Sequence, residues 1–414
     1  MDARDVKALE LTGSTRISYA NGMWLVPSQS ANVRYRVNPS ASAPDCSCED
    51  FQTRGQPCKH IRAVRQLLER QLRGDPHPDP ATIPMRPPRP TYGQDWPAYN
   101  LAQTNEKDHF QVLLADLCRT IPQPEPKGTK GGRPALDLAD GVFSAVFKVF
   151  NLTSARRFMC DLREAHERGH VKQVLSFNSV LRVLERPAVR WVLQDLIRRS
   201  SLPLAGVESK FAIDSSGFST SRYTRWFDEK YGYNRQKADW VKVHLVVGTQ
   251  TQIVTAISVD TKNSGDSPQF GPLVNATAEG FKVQEISADK AYLSNENLAV
   301  ADAIGATPFI PFKNNSVPDG SELWRRMYLY FTVNREDFLY HYHCRSNVES
   351  AFSMIKRKFG DSVRAKTDTA MRNESLAKVL CHNLCCIISA WYELGVEPSE
   401  WVAPKPPIIA SKPN

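Results

Sequence analysis

No run of about 18 uninterrupted apolar residues occurs in the 414-residue chain, so no membrane-spanning helix is expected. The opening residues, MDARDVKALE, lack the apolar stretch of a secretory signal. Together these absences predict a cytoplasmic protein. No internal repeat is evident, which sets repeat architectures aside. Nine cysteines in a cytoplasmic setting argue against a disulfide framework. Hydrophobic content of 41% and charged content of 23% are ordinary for a globular protein, and the length allows two or three domains. The charge is less even: 53 Lys and Arg against 44 Asp and Glu leave +9, a surplus that favours polyanionic partners.

Three of the cysteines cluster near the N-terminus. Short β-like runs (GMWLVPS, NVRYRVNP) precede Cys46-Ser47-Cys48, and Cys58-Lys59-His60 follows after nine residues. A helical pattern with Ile61, Val64, Leu67, Leu68 and Leu72 on one side then runs to Arg73, where Gly74 ends it. Residues 74–98 carry eight prolines and read as an extended linker, the clearest boundary in the chain.

Residues 104–200 look all-helical, with a Pro/Gly/Lys-rich interruption (PQPEPKGTKGGRP). The last segment begins at Ser176, a suitable N-cap, and Pro187 is expected to kink or split it. Arg156, Arg157, Arg182, Arg186, Arg190, Arg198 and Arg199 make this block a candidate DNA-binding module, although a solvated helical face would look the same.

From Lys210 the period changes to two. The order of elements is β-β-β-α-β-α-β-α, with a hairpin around Gly248-Thr249-Gln250, which predicts an α/β fold: a mixed sheet covered by helices. Asp214 closes the strand FAID and Asp289 follows the strand VQEISA. Strand ends are where open α/β sheets collect polar functional groups.

The run from His341 to Gly360 has helical spacing. Tyr342, Arg345, Glu349 and Lys356 fall within an arc of about 60° at roughly 100° per residue. Val348, Phe352, Ile355 and Phe359 form an apolar stripe beside them. One face anchors the helix and the other presents an acid flanked by cations. Asp214, Asp289 and Glu349 can then converge on one sheet edge, where three carboxylates need cations to neutralise them. Oxygen donors of high charge suit Mg²⁺ or Mn²⁺, and two such ions about 4 Å apart support in-line phosphoryl displacement.

These residues resemble the DDE transposases of bacterial insertion sequences, over about residues 130–395. The motifs are AIDSSGF, SADKAYLS and a tyrosine-arginine-glutamate-lysine signature on Tyr342, Arg345, Glu349 and Lys356 with 2, 3 and 6 intervening residues. The resemblance implies a ribonuclease-H-like catalytic fold. It implies that Asp214, Asp289 and Glu349 hold the active-site Mg²⁺ ions, that Lys356 contacts DNA phosphate, and that Tyr342 and Arg345 position the substrate strand. Double-stranded DNA (terminal inverted repeats and target) and a second copy of the chain in the synaptic complex are the implied partners, with a nucleoid-associated location. Only 59 residues separate Asp289 from Glu349, so the large β-rich insertion of some relatives is lacking.

The N-terminal cluster resembles a SWIM-type zinc finger, with Cys46, Cys48, Cys58 and His60 as a closed structural Zn²⁺ site that takes part in DNA or protein binding. The expected layout is a finger over 1–73, a linker over 74–103, a helical DNA-binding domain over 104–200, the catalytic domain over 201–395 and a tail over 396–414. A transposase-derived regulator without catalysis, or a ribonuclease-H-like nuclease that cuts without joining, would share much of this pattern. His341 and His343 are read as surface or substrate-side residues, His244 and Asp266 as structural, and Cys381, Cys385 and Cys386 as core.

Overall fold

The computed structural model describes residues 3–14, 17–20, 22–29, 33–40, 42–73, 95–122, 136–220, 240–260, 263–313, 315–398 and 401. Most of the proline-rich linker (74–94), the Pro/Gly/Lys-rich loop (123–135) and nearly all of the tail lie outside the described residues. The chain divides into two compact units, Met1–Gly93 and Gln94–Asn414.

The first unit has helix α1 (Ala3–Ser14), then strands β1 (Ser18–Ala20), β2 (Met23–Pro27), β3 (Arg34–Asn38) and β4 (Asp45–Cys46). The strands form an antiparallel sheet in sequence order. Helices α2 (Glu49–Arg54) and α3 (Lys59–Arg73) follow. The core is small: Leu11, Val26, Val37, Ile61 and Val64 pack around the buried Cys46, Cys48 and Cys58. Arg65 ties α3 to the β3–β4 turn by donating to the carbonyls of Pro39 and Ser40.

The second unit opens with α4 (Trp96–Thr104) and α5 (Glu106–Arg119). The linker expected to reach residue 103 therefore gives way to helix earlier. Asp95 accepts the Ala98 amide and Pro97 lies in the first turn, which together start a helix. Helices α6 (Leu138–Asn151), α7 (Met159–Glu167), α8 (Phe177–Leu184) and α9 (Val189–Ser201) follow. Ser176 caps α8 through the Ser179 amide, and the chain breaks at Pro187 as its chemistry requires.

A five-stranded mixed sheet follows. Its strands are β5 (Lys210–Ser219), β6 (Trp240–Gly248), β7 (Val254–Asp260), β8 (Glu285–Ala288) and β9 (Thr307–Phe309), in the spatial order β7-β6-β5-β8-β9. The first three are antiparallel; β8 and β9 join parallel to β5. Interleaved and terminal helices are α10 (Ser267–Ala278), α11 (Asn295–Ala303), α12 (Glu322–Val333), α13 (Arg335–Tyr342), α14 (Ser346–Phe359) and α15 (Asp368–Leu394). This is a ribonuclease-H-like mixed sheet with flanking helices. The strand FAID is longer than expected, because β5 continues to Ser219 against β6 after β8 has ended.

The sheet separates two cores. Ala212, Phe218, Val243, Leu245 and Val247 face α5, α6, α9, α14 and α15. Phe211, Ile213, Val246 and Ile286 face α10 to α13. Buried amides and charges fix α15 in place. Asn383, fully buried, accepts from the Val254 amide and donates to the carbonyls of Val254 and Ile197 and to the Ser200 hydroxyl. Lys378, 2% exposed, donates to the carbonyls of Gly360 and Ser362, holding the segment after α14.

Burial pulls the Lys378 ammonium down to about 8. A free lysine titrates near about 10.4, so between those values the unfolded chain binds the proton more tightly. The cost of burying this charge is complete below the lower value and is relieved as pH rises towards the upper one. The stability of the wild type relative to Lys378→Met is therefore expected to increase from about pH 8 to about pH 10. Urea unfolding at a series of pH values measures this, and a flat or falling difference contradicts it.

Candidate active site and metal centre

Side chains alternate along a strand, and β5 uses the alternation to serve two sites. Asp214, Ser216 and Phe218 share the face covered by α14, while Ser215 shares the opposite face with Ile213. Asp214 Oδ1 accepts the Ser215 amide at 2.8 Å, and Oδ2 accepts Arg345 Nη1 at 2.6 Å. The other Arg345 nitrogen, Nη2, bonds Glu349 Oε1, one turn along α14. Asp289 is the residue after β8. Because Ile213 pairs with Ala288, Asp214, still within β5, and Asp289, just past the end of β8, lie at the same level of adjacent parallel strands.

Asp214 feels both of the other acids. Burial pushes the Asp214 carboxyl above the usual carboxylate range. The Ser215 amide and Arg345 draw it back, and Asp289 and Glu349 add repulsion. Arg345, held by two carboxylates, loses its proton even less readily than usual despite its burial. Asp214 and Glu349 share Arg345 as a counter-ion and line one groove, whereas Asp289 lines the neighbouring cavity.

Lys356 extends the same face. Its Nζ donates to Ser216 Oγ at 2.7 Å and lies 5.9 Å from the ring centres of both Phe218 and Phe352. Burial lowers the pKa of its ammonium. Val348, Ala351, Phe352, Ile355 and Phe359 bury the other side of α14, as the apolar stripe predicts. Between them, Asp214, Glu349, Lys356, Arg357 and Asp361 line a groove of about 660 Å³.

The expected continuous helix from His341 to Gly360 is interrupted. α13 ends at Tyr342, a 3₁₀ turn covers His343–Arg345, and α14 starts at Ser346. Tyr342 consequently lines a separate cavity of about 670 Å³ with Asp289, Lys290, Lys313 and Arg335. His341 anchors the break. Its Nδ1 is 2.8 Å from Glu285 Oε2, its ring stacks on Phe309 with centres 4.6 Å apart, and its carbonyl accepts the Ser287 hydroxyl. His341 is thus a structural tie between α13 and the β8–β9 edge, whereas its sequence context reads as surface or substrate side. His343 is exposed.

A second polar group lies directly behind Asp214. Ser215 Oγ donates to Asp266 Oδ1 at 2.8 Å, Lys242 Nζ is 2.8 Å from the same oxygen, and His244 Nδ1 is 3.6 Å from it. Burial works against the Asp266 charge, but Lys242 and Ser215 outweigh it and hold the carboxyl below its usual range. Buried His244 is kept neutral and also meets the Tyr292 hydroxyl at 3.5 Å. Asp266 precedes α10 without capping it by its side chain. From sequence it is a residue that either caps a helix or lies near the active site, kept as structural; the register pairing of Ser215 with His244 on β5 and β6 is what brings it behind Asp214.

Of the seven arginines read as a DNA-binding set, three have other work. Arg190 donates to the Val259 carbonyl, and Arg198 and Arg199 pair with Asp195. Arg156, Arg157, Arg182 and Arg186 are exposed. Cys381 and Cys386 lie in the core, as expected, with Cys385 packed against it.

In the first unit the β3–β4 pairing and the start of α3 bring Cys46, Cys48, Cys58 and His60 together, with one donor atom from each within 4.8 Å of all the others. His60 Nδ1 lies 3.9 Å from Cys46 Sγ and 3.8 Å from Cys58 Sγ. A tetrahedral site with Zn–S of about 2.3 Å has edges of roughly 3.8 Å, so the spacing fits a closed site. The cluster also favours a thiolate. Hydrogen bonding from Cys46 brings Cys58 down to about 3, while Cys46 is pushed up by that same bond and Cys48 by burial.

Fold, acids and cysteine cluster define a class, and comparison with known proteins agrees. Residues 205–384 match the family described as Transposase DDE domain, and residues 35–66 match the SWIM zinc finger. A protein of Archaeoglobus fulgidus described as a probable transposase for insertion sequence element ISA1214 is 26% identical over 215 residues. That match takes in 51% of this chain and 64% of the archaeal protein, just under two thirds of its length. Residues 205–384 are thus similar to a DDE transposase domain, and residues 35–66, ahead of them in sequence, to a SWIM zinc finger. Among the described residues no helix is long and apolar enough to cross a membrane.

The finger is expected to hold one zinc per chain. Elemental analysis should find about one equivalent in the wild type and a loss of most of it in Cys58→Ser, because a closed four-ligand site loses a ligand. A wild type without zinc contradicts the assignment.

Proposed function

We propose that the protein is a metal-dependent transposase that nicks DNA at transposon ends and joins the freed 3′-hydroxyl to target DNA. One observation carries this reading: Asp214 and Glu349, 135 positions apart, are bridged by Arg345 beside Asp289.

In this reading Asp214, Asp289 and Glu349 hold two divalent ions. When bound, these ions supply Lewis-acid activation of the attacking oxygen and charge stabilisation of the leaving oxygen. The chain's own groups do the rest. Lys356, fixed by Ser216, binds a non-bridging oxygen of the scissile strand through its ammonium. Arg345 releases the carboxylates and turns towards the phosphate, so that cationic charge follows the substrate. Asp266, Lys242 and Ser215 hold the β5 backbone that orients Asp214. Water first displaces the 3′-oxygen of the scissile phosphodiester, leaving a 3′-hydroxyl and a 5′-phosphate. That hydroxyl then displaces a 3′-oxygen in target DNA, so this second step breaks one phosphodiester and forms one, whereas the first spends one to water.

The terminal inverted repeats would be bound by the helical block at 104–200, where Arg156, Arg157, Arg182 and Arg186 remain exposed. Holding both ends requires a homodimer in the synaptic complex, and such work places the protein in the cytoplasm at the nucleoid. The layout 1–73, 74–103, 104–200, 201–395 and 396–414 is the division of labour this implies.

A strand-transfer assay with intact and pre-cleaved ends in Mg²⁺ tests the reading. Joining supports it; cutting without joining would make the protein a nuclease, and binding alone a regulator. Asp289→Ala is expected to reduce cleavage to background while end binding persists, and retained cleavage contradicts the assignment of the acids. Arg345→Gln is expected to raise Mn²⁺ affinity in the DNA-free protein, because it removes a cation from between Asp214 and Glu349 while also impairing cleavage. Calorimetric titration reads the first effect directly; an unchanged or weaker Mn²⁺ affinity contradicts the competition.

A further inference from the structure

A second groove, of about 810 Å³, opens where the helical block meets the sheet. Four cationic residues line it: Lys148 on α6, Arg156 after α6, and Arg364 and Lys366 between α14 and α15. No carboxylate lines it. Lys148 is only 8% exposed, and among the described residues no hydrogen bond reaches its ammonium. The nearby Thr153 hydroxyl, also lining the groove, is buried without a partner. The buried Thr153 hydroxyl thus lacks an acceptor, and the cavity offers Lys148 no carboxylate.

The neighbouring charges do not fill that need. Glu374 is buried beneath the groove, but both its oxygens are taken by the amides of Arg364 and Ala365. It offsets the charge of Lys148 at a distance and bonds none of the groove's cations. Arg364 spends one nitrogen on the Leu152 carbonyl. Arg156 lies over the Phe177 ring, 4.9 Å from its centre, which aims its guanidinium while leaving its donors free. Phe177, Leu181 and Met371 give the groove an apolar wall.

The groove is continuous with the catalytic one through the chain itself. Gly360 and Asp361 line the first, and Ser362 to Lys366 line the second. Ser219, at the end of β5, is bonded on both sides of Ser362, through the Asp361 carbonyl and the Val363 amide.

We propose that this second groove is a built phosphate site that takes adjacent backbone phosphates of the DNA strand running on from the catalytic groove. The inference rests on the transposase reading and deepens it, by naming where the strand goes after the acids. Lys148 and Thr153 supply the inner donors, Arg156 and Lys366 the outer clamp, and the apolar wall accommodates sugars. Readout is of the backbone, so the contact is indifferent to sequence.

The test is binding of a mixed-sequence duplex of roughly 30 base pairs, measured by fluorescence anisotropy at several salt concentrations. The variant is Arg156→Gln with Lys366→Gln, two exposed side chains whose loss spares the fold, as an unchanged melting temperature will verify. Its control is Lys282→Gln with Arg325→Gln, which removes the same charge elsewhere. The site predicts at least roughly tenfold weaker binding by the first pair and a slope of log K on log salt shallower by about 1.8, with the control near wild type. Wild-type affinity and slope in the first pair, or an equal change in the control, overturn the site while leaving the transposase reading standing. A wild type that binds no duplex at all overturns that reading and the site together.

Discussion

The whole candidate site depends on the two-residue period of a single strand. β5 sends Asp214 and Ser216 to one face, where Arg345 and Lys356 meet them, and Ser215 to the other, where Asp266 meets it. A register shift of one residue would exchange the faces and send every one of these contacts to the wrong core. The register is held on both sides, by nine paired positions with β6 and four with β8. Gly217 belongs to the same requirement. A Cβ there would sit 2.6 Å from Trp240 Cδ1, so a side chain would force the indole off the strand.

Around that strand, charge is arranged in layers. The acids at the front repel each other and are partly neutralised by Arg345. Behind them Asp266 is committed to Lys242, and is unavailable as a fourth acid of the front group. Such separation gives an unliganded protein a tolerable electrostatic state without dissolving the site. It also explains why Glu349 sits exposed while Asp214 is mostly covered: one acid is fixed by the sheet, and the other is carried on a helix whose buried stripe fixes it from below.

The sequence made some of this legible because local chemistry and long-range packing agree there. The apolar stripe on α14, the Ser176 cap, the break at Pro187 and the clustering of Cys46, Cys48, Cys58 and His60 all follow from spacing. The joint at His343–Arg345 did not, because neither Gly nor Pro marks it. It is imposed by His341 reaching Glu285 and Phe309 from distant elements. The Asp266 group was equally hidden, since its members come from β5, β6 and the start of α10. Helix α4 was masked by the prolines before it, although Asp95 and Pro97 are themselves starting signals. The second basic groove draws on α6, α8 and the α14–α15 segment, a conjunction that no local pattern announces.

Asn383 carries a consequence for how the molecule breathes. One amide group binds α15 to both α9 and the first residue of β7, with every partner buried. Opening any one of these three elements exposes polar groups belonging to the other two, so they open as one cooperative unit. In native-state hydrogen exchange the Val254 amide should be among the slowest protons in the chain, released only when the whole fold comes apart.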